Sequence, residues 1–489
     1  MTDWVDPDTH GWVHHPVDAA SWAALLQRYE AKDDQPLARV FAVARSHRCR
    51  TVIEENRYVD PDYRSEYSAF WSQRFPTRPA FARRLHFFRR VIRDEDLSAI
   101  DAKSAGYVGY ATLKPISPGR VGRTVLSPPP RLSKATLALA TDHVSLFGTP
   151  LAVRGAPFLE QDGEYLRCAH AAAWMCHYSA ALRRLVGRSL TAQLVELSPA
   201  SVWHERPLPS PGLTWNQLQA VFAATGQPAL FYGLSTMPRV RGVENPAPEF
   251  LPDGRMKHPG LWDTRIFSVV CRYLNAGYPV LVATLDHAFV IVGWFRDGNR
   301  IRFIACDDQW GPYETIASPF TDRRAPWDAF MVPLPPKVYL SGEQAESAAH
   351  LLFRAQGARP GAPNAWQQLT NRLVAGDISL RTFLRSNLDY KRIVAQQRRG
   401  RAATHLLRLA RLPHWVWVVE AQDRGERAAG RPAVLAEIVF DSTSSDRNPD
   451  FCAISLPGIV NTFPPDGGQR GVASGPTAPW RSHCDFDPA

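Results

Sequence analysis

Cys168 stands in QDGEYLRCAHAAAWMCHYSAALRRL, where apolar or small residues recur at 168, 171, 172, 175, 179 and 182. That is the stripe of a helix, with the cysteine in its first turn. Unpaired N–H groups and the dipole at a helix start favour an anion, so a thiolate there would be stabilised and nucleophilic. A cysteine on an apolar stripe is also, taken alone, an ordinary core residue. His287 alters the weighing. It starts the run HAFVIVGWF (287–295), directly after a second apolar run, PVLVATL (279–285). Asp307 and Asp308 end the next run, RIRFIAC (300–306). Strand alternation puts Asp307 on one face with Ile301, Phe303 and Ala305, and Asp308 on the other with Arg302, Ile304 and Cys306. Antiparallel pairing through the DGN turn (297–299) makes His287 and an aspartate cross-strand neighbours, the geometry in which a carboxylate fixes one imidazole tautomer. Docking the start of the cysteine's helix on this hairpin would complete a Cys–His–Asp set for acyl transfer. Asp307 and Asp308 both stay open as its third member.

These residues need a scaffold, and the chain divides into regions that could supply one. At 489 residues, 45% hydrophobic and 21% charged, it has room for about three globular domains and is neither disordered throughout nor fibrous. Residues 1–134 read as a mixed α/β module, with helices near 19–31 and 64–75 and a strand at 106–116. The loop-rich SPGRVGRTVLSPPPR then ends in three prolines. A middle module, 135–335, opens with two short strands in 137–153 and the cysteine's helix at about 167–185. A helix with a Thr214–Gln217 capping-box spacing follows, then one that stops before Gly277. The last module, 336–462, opens with helices and has a hairpin of 414–422 against 433–443. The Gly- and Pro-rich tail, 463–489, is expected to be largely disordered.

Residues 155–315 resemble the papain-superfamily cysteine peptidases, in particular the branch that processes bacteriocin precursors at a double-glycine leader. The likeness rests on Gln161 before Cys168, on His287 in HAFVIVG, and on Asp307 followed by Gly311 in DDQWGPY. GLTWNQLQAVFAATG (212–226) and NAGYPVLVA (275–283) also match the family's middle segments. The resemblance implies an α+β fold with a papain-like core, a nucleophile-bearing helix packed on an antiparallel sheet, flanked here by two further α/β modules. It implies a thiol hydrolase without cofactor or metal, acting on a protein or peptide. Cys168 would attack the acyl carbon, His287 would carry the proton, Asp307 would orient His287, and Gln161 would donate to the oxyanion. The family often has Gly after the cysteine, where this chain has Ala169. Amidase, deamidase or transglutaminase-type acyl transfer would use the same machinery.

Other chemistries fare less well. Cys168, His170, Cys176 and His177 suggest zinc, but on one helix the two cysteines stand about 12 Å apart along the axis. One tetrahedral ion cannot span that distance. No GxxxxGK[ST] loop occurs, and no nucleotide site is expected. The seven cysteines are scattered with no CxxC pair, and the N-terminus lacks a secretory pattern. No apolar run is long enough to span a membrane, so a cytoplasmic protein with free thiols is expected.

The net charge of +10 is concentrated. Residues 371–414 hold ten Lys/Arg, including Lys391, Arg392, Arg398, Arg399, Arg401, Arg408 and Arg411, against two Asp. A smaller cluster, ARRLHFFRRVIR, occupies 82–93. Such faces could contact nucleic acid or an acidic protein, and a non-enzymatic binding protein using the 371–414 stretch is the second alternative. A solvated helix face is the plainer reading.

Overall fold

The computed structural model describes residues 11–483 apart from 17, 30–35, 94–105, 118, 199–207, 234–258, 299, 321–325, 398, 429–432, 446 and 474–478. The fold is α+β, with twelve α-helices and three antiparallel sheets among the described residues. Two compact units are present, Met1–Thr264 with Tyr278–Pro335, and Arg265–Gly277 with Pro336–Ala489.

In chain order the elements up to Pro335 are β1 (Gly11–His14), α1 (Ala19–Arg28), α2 (Pro36–Ser46), β2 (Thr51–Tyr58), α3 (Pro61–Ala69), β3 (Ala82–Phe88), β4 (Tyr107–Leu113) and β5 (Val121–Leu126). Then come β6 (Thr136–Leu137), β7 (Ala140–Leu146), β8 (Thr149–Phe158), α4 (Cys168–Leu182), α5 (Thr191–Glu196), α6 (Trp215–Ala224), β9 (Ala229–Gly233) and α7 (Pro259–Asn275). The strands β10 (Val280–Ala283), β11 (Ala288–Asp297), β12 (Arg300–Asp307), β13 (Gly311–Ile316) and β14 (Ala329–Pro333) follow. One sheet has the order β1-β2-β3-β4-β5-β8-β7, and the other β13-β12-β11-β10-β14-β9 with β6 on β11.

The segment read as loop at 117–131 contains β5, every residue of which is buried. VGRTVL shows no alternation because its side chains are buried on both faces, with α2 and α3 among the elements packed against it, and its arginine is paired inside the unit. The Arg123 guanidinium sits 3.0 Å from the Asp60 carboxylate and donates to the Tyr58 hydroxyl at 2.8 Å. The proline run lies inside one compact unit and marks no boundary between units. Beyond it β8 returns to β5, with Thr124 opposite Phe158 and Leu126 opposite Ala156. One hydrophobic core runs through this unit from Trp22 to Met331.

The helix α4 lies inside that core. Residues 169–180 are all buried, and the helix touches β7 and β8 of one sheet and β10 and β11 of the other. A helix apolar on every side belongs in such a place. Two polar anchors fix it to residues before the proline run and just after it. Trp174 Nε1 donates to Asp62 Oδ1 at 3.1 Å, and Tyr178 donates to Asp142 at 2.9 Å, an acid that also accepts from Tyr110 at 2.5 Å.

The second unit holds α8 (Gly342–Ala358), α9 (Asn364–Ala375), β15 (Ile378–Ser386), α10 (Asn387–Gln396), α11 (Arg401–Leu409), β16 (Trp415–Asp423) and α12 (Arg424–Ala428). It continues with β17 (Ala433–Asp441), β18 (Phe451–Leu456), β19 (Ile459–Thr462), β20 (Arg470–Ala473) and β21 (Trp480–Arg481). The sheet runs from β15 to β20 in sequence order, with β21 on β17. The tail read as largely disordered thus supplies two strands, and Trp480, Ser482 and His483 are buried. Buried partners fasten it. Glu420 accepts from Ser482 Oγ at 2.6 Å and from the His483 N–H at 2.7 Å. Glu437 accepts from both terminal nitrogens of Arg399, whose guanidinium lies 4.3 Å from the Trp480 ring centre. Composition reports polarity in such a tail and is silent about buried partners.

Candidate active site

The loop before α4 is shaped by Asp162. Its Oδ1 accepts from the N–H groups of Glu164, Tyr165 and Leu166, folding the chain into a tight turn. Arg167 secures the helix entry by donating to the carbonyls of Ser210 at 2.7 Å and Gly163 at 2.8 Å. Close to Asp162 in the chain, Glu160 accepts from the N–H groups of Gly119 and Val121 at 3.2 and 2.8 Å. Gly119 has φ +87, and a Cβ there would stand 2.6 Å from the Asp162 Cα, so only glycine lets the two loops approach this closely. Cys168 is the first residue of α4, a free and partly exposed thiol. Its backbone N–H is among the helix's first donors, which have no intrahelical acceptor.

His287 is set by the β10–β11 turn. Its carbonyl accepts from the Thr284 N–H at 2.8 Å and the Thr284 hydroxyl at 3.2 Å. The β11–β12 register pairs Val290 with Cys306. One step further, Phe289 faces Asp307, so His287 is the diagonal neighbour of Asp307 on the same face. The imidazole donates through Nε2 to Asp307 Oδ1 at 2.9 Å, and Asp307 also accepts from the Gln309 N–H at 3.1 Å. Strict alternation would send Asp308 to the far face. Instead β12 ends at Asp307, and the turn brings Asp308 Oδ1 to 3.8 Å from Nε2. Gly311 closes that turn at φ +117, opposite Asp307, where a Cβ would meet the Arg39 Cβ at 2.5 Å.

Burial opposes a charge on His287. The hydrogen bonds with Asp307 and Cys168 and the charges of Asp308 and Asp307 outweigh it, and raise the imidazole's pKa to about 10. The ring is therefore cationic at neutral pH. Its Nδ1 is buried without a hydrogen bond of ordinary geometry, although the Cys168 thiol is close enough to contribute to that shift. Catalytic contacts are often loose in an unliganded enzyme. Asp308 differs from Asp307. It is fully buried, and neither of its oxygens has a hydrogen-bond partner. Burial pushes its pKa well above the carboxylate range; the His287 charge pulls the other way, while Asp307 and Glu160 add to the rise. Asp307 is thus the member of the pair that holds the imidazole, and Asp308 the one whose burial no hydrogen bond offsets.

The structure brings Cys168, His287, Asp307 and Asp308 together. Gln161 lies partly exposed on the loop between Glu160 and Asp162. The other groups on α4 have structural roles. Cys176 is buried and its thiol pKa is pushed up by that burial. His177 accepts from the Ser189 N–H at 3.0 Å through Nε2, so its Nδ1 donates to Gln227 at 2.8 Å. His170 Nδ1 accepts from the Arg167 N–H at 3.4 Å, and burial, with the Arg167 charge, pushes its pKa down to about 4. His170 and Tyr165 line a cavity of about 240 Å³ beside the first turn of the helix. His287, Asp307 and Asp308 are also close enough for one cation to reach all three.

Thr284, Glu160 and Asp162 were not singled out from sequence. For Asp162 a signal existed, an Asp followed within a few residues by a helix start. Only part of the basic stretch 371–414 is exposed. Arg385 and Arg399 are buried, Arg372 pairs with Asp423, and Arg392 stands 3.1 Å from Asp389. Arg401, Arg408 and Arg411 are exposed, and Arg398 lies outside the described residues. No helix among the described residues is long and apolar enough to cross a membrane. The chain matches no protein-family model and no curated protein.

Proposed function

We propose that this chain is a thiol-dependent acyl-transfer enzyme, a cysteine peptidase with a papain-like core that cleaves a peptide or isopeptide bond. The observation that carries this reading is His287, hydrogen-bonded at 2.9 Å to a buried aspartate and flanked by a cysteine at a helix start. In the proposed cycle the proton of Cys168 rests on His287, and the thiolate sulfur attacks the substrate carbonyl carbon. The resulting oxyanion takes hydrogen bonds from the Cys168 N–H and, in this reading, the Gln161 amide. The C–N bond breaks as His287 passes its proton to the leaving nitrogen, leaving a thioester. His287 then takes a proton from water, the hydroxide attacks the thioester, and the thiolate leaves. Asp307 orients the ring and stabilises its charge throughout.

The same thioester yields to an amine as well as to water. Mass analysis of products with and without an added primary amine separates peptidase from transferase. The central test is a mechanism-based thiol probe on wild type and Cys168→Ala. Labelling of wild type at Cys168, with none in the variant, supports the assignment. Equal labelling of both at another cysteine overturns it.

A further inference from the structure

A cleft of about 740 Å³ opens in the first unit, built from elements the triad does not use. Six cations line it: Arg28 from α1, Arg57 from β2, Arg78 from the segment before β3, Arg83 from β3, and Lys114 and Arg120 from the turn joining β4 to β5. No aspartate or glutamate is among its lining residues. Four carboxylates act on these cations from behind the wall. Glu54 lies 3.7 Å from Arg28 and 3.6 Å from Arg83, and Glu66 lies 3.2 Å from Lys114. Both are fully buried, and burial raises the pKa of Glu66 to about 7 despite the Lys114 charge. Glu160 and Asp162 also act on Lys114, and Glu160 on Arg120, so six cations face four carboxylates, none of which lines the opening.

Crowding like charges around a low-dielectric cleft is unfavourable unless something of opposite sign enters. The cleft also has unused binding capacity. Arg78 Nε is buried without a hydrogen-bond partner. Arg57 is exposed, with its guanidinium 4.9 Å from the centre of the Phe81 ring, and Phe81 is itself exposed at the rim. A guanidinium stacked on an aromatic ring offers a platform for a flat heterocycle next to donors suited to phosphate.

We propose that this cleft binds a phosphate-rich anion of nucleotide size, its phosphates taken by the arginines and its ring by the Arg57–Phe81 platform. The volume is in the range of small-molecule sites. Recognition would come from guanidinium forks and not from backbone N–H groups, so the missing glycine-rich loop is no obstacle. Phosphates could belong to a free nucleotide or to a nucleic-acid strand, and the measurement separates these sources.

The experiment is isothermal titration calorimetry of the full chain with ATP, inorganic pyrophosphate and a single-stranded oligonucleotide. ATP and pyrophosphate are expected to bind, more weakly as salt rises, with ATP the tighter because its base uses the platform. Arg57→Glu with Arg78→Glu should weaken both by about tenfold or more. The thermal midpoint checks folding, and Arg57→Gln with Arg78→Gln gives a milder loss should the reversal variant fail to fold. An oligonucleotide that competes with ATP, and is weakened by the same substitutions, makes a strand the phosphate source. Absence of binding by all three ligands, or binding unchanged in both variant pairs, overturns the proposal. Cys168→Ala should bind as wild type does, so this result stands apart from the catalytic reading.

Discussion

His287 donates through Nε2 to Asp307 at 2.9 Å, while the adjacent Asp308, equally buried, stands at 3.8 Å with neither oxygen hydrogen-bonded. Two neighbouring carboxyls thus meet one imidazole differently, one hydrogen-bonded to it and one not. The ring and the Gln309 N–H both donate to Asp307. Burial pushes the Asp308 carboxyl well above the usual range against the pull of the His287 charge, and the neighbouring Asp307 adds to the rise.

Asp307→Asn should therefore lower kcat/KM by on the order of 10²- to 10⁴-fold, the worth of a correctly held acid–base group. Asp308→Asn alters a carboxyl that makes no hydrogen bond to the ring and should cost less than about tenfold. The hydrolysis rate of a peptide or thioester substrate across pH checks both. Equal losses in the two variants would contradict Asp307 as the residue that orients the ring.

Stability should fall on the alkaline side. The pKa of His287 rises from 6.5 unfolded to about 10 folded, despite the opposing effect of burial. Its contribution is therefore complete below about pH 6.5 and is lost as the pH climbs through 10. Near neutrality it amounts to a few kcal/mol in order of magnitude. Thermal midpoints of wild type and His287→Gln, compared from pH 6 to 11, should converge toward the top of that range.

Gly311→Ala should damage the site from outside it. At φ +117 any side chain is strained, and the new methyl would stand 2.5 Å from the Arg39 Cβ. The expected cost is about 1–3 kcal/mol, read by urea unfolding. Asp307 pairs with Gly311 across the turn, so activity should drop in the protein that remains folded.

In the second unit, Arg399→Leu should be severe. The substitution leaves Glu437 buried with the Arg399 bonds gone, a loss of about 3–5 kcal/mol. It also removes the support under Trp480. Limited proteolysis should then cut near residue 480 in the variant and spare that site in wild type.

The helix of Cys168, the strand of His287 and the β16–β17 hairpin were legible in sequence, because apolar periodicity and turn residues are local signals. The capping pair Thr214–Gln217 was legible for the same reason, and in the structure the Gln217 N–H donates to the Thr214 hydroxyl at 3.4 Å. What escaped was set by distant partners. The β5 strand lost its alternation to burial on both faces, and Arg123 there is explained only by Asp60, many residues earlier. Asp308 joins His287 because the strand ends one residue before it, a change of direction that alternation cannot foresee. The tail looked unstructured because Glu420 and Glu437, which fasten it, lie far upstream.

The crossing of one sheet over the proline run bears on how such a centre can be inherited. A gene crossover at residues 128–130 would leave β5 without β8 and would take Asp62 away from Trp174 on the cysteine's own helix. A breakpoint at 335 is no cleaner, since Arg265–Gly277 belongs with the residues that follow Pro335. The stretch holding Cys168, His287 and Asp307 is therefore not a portable cassette. The cysteine's helix and β2–β5 form one inseparable piece of chain, and a transplanted middle segment would arrive without the strand and the acid that seat it.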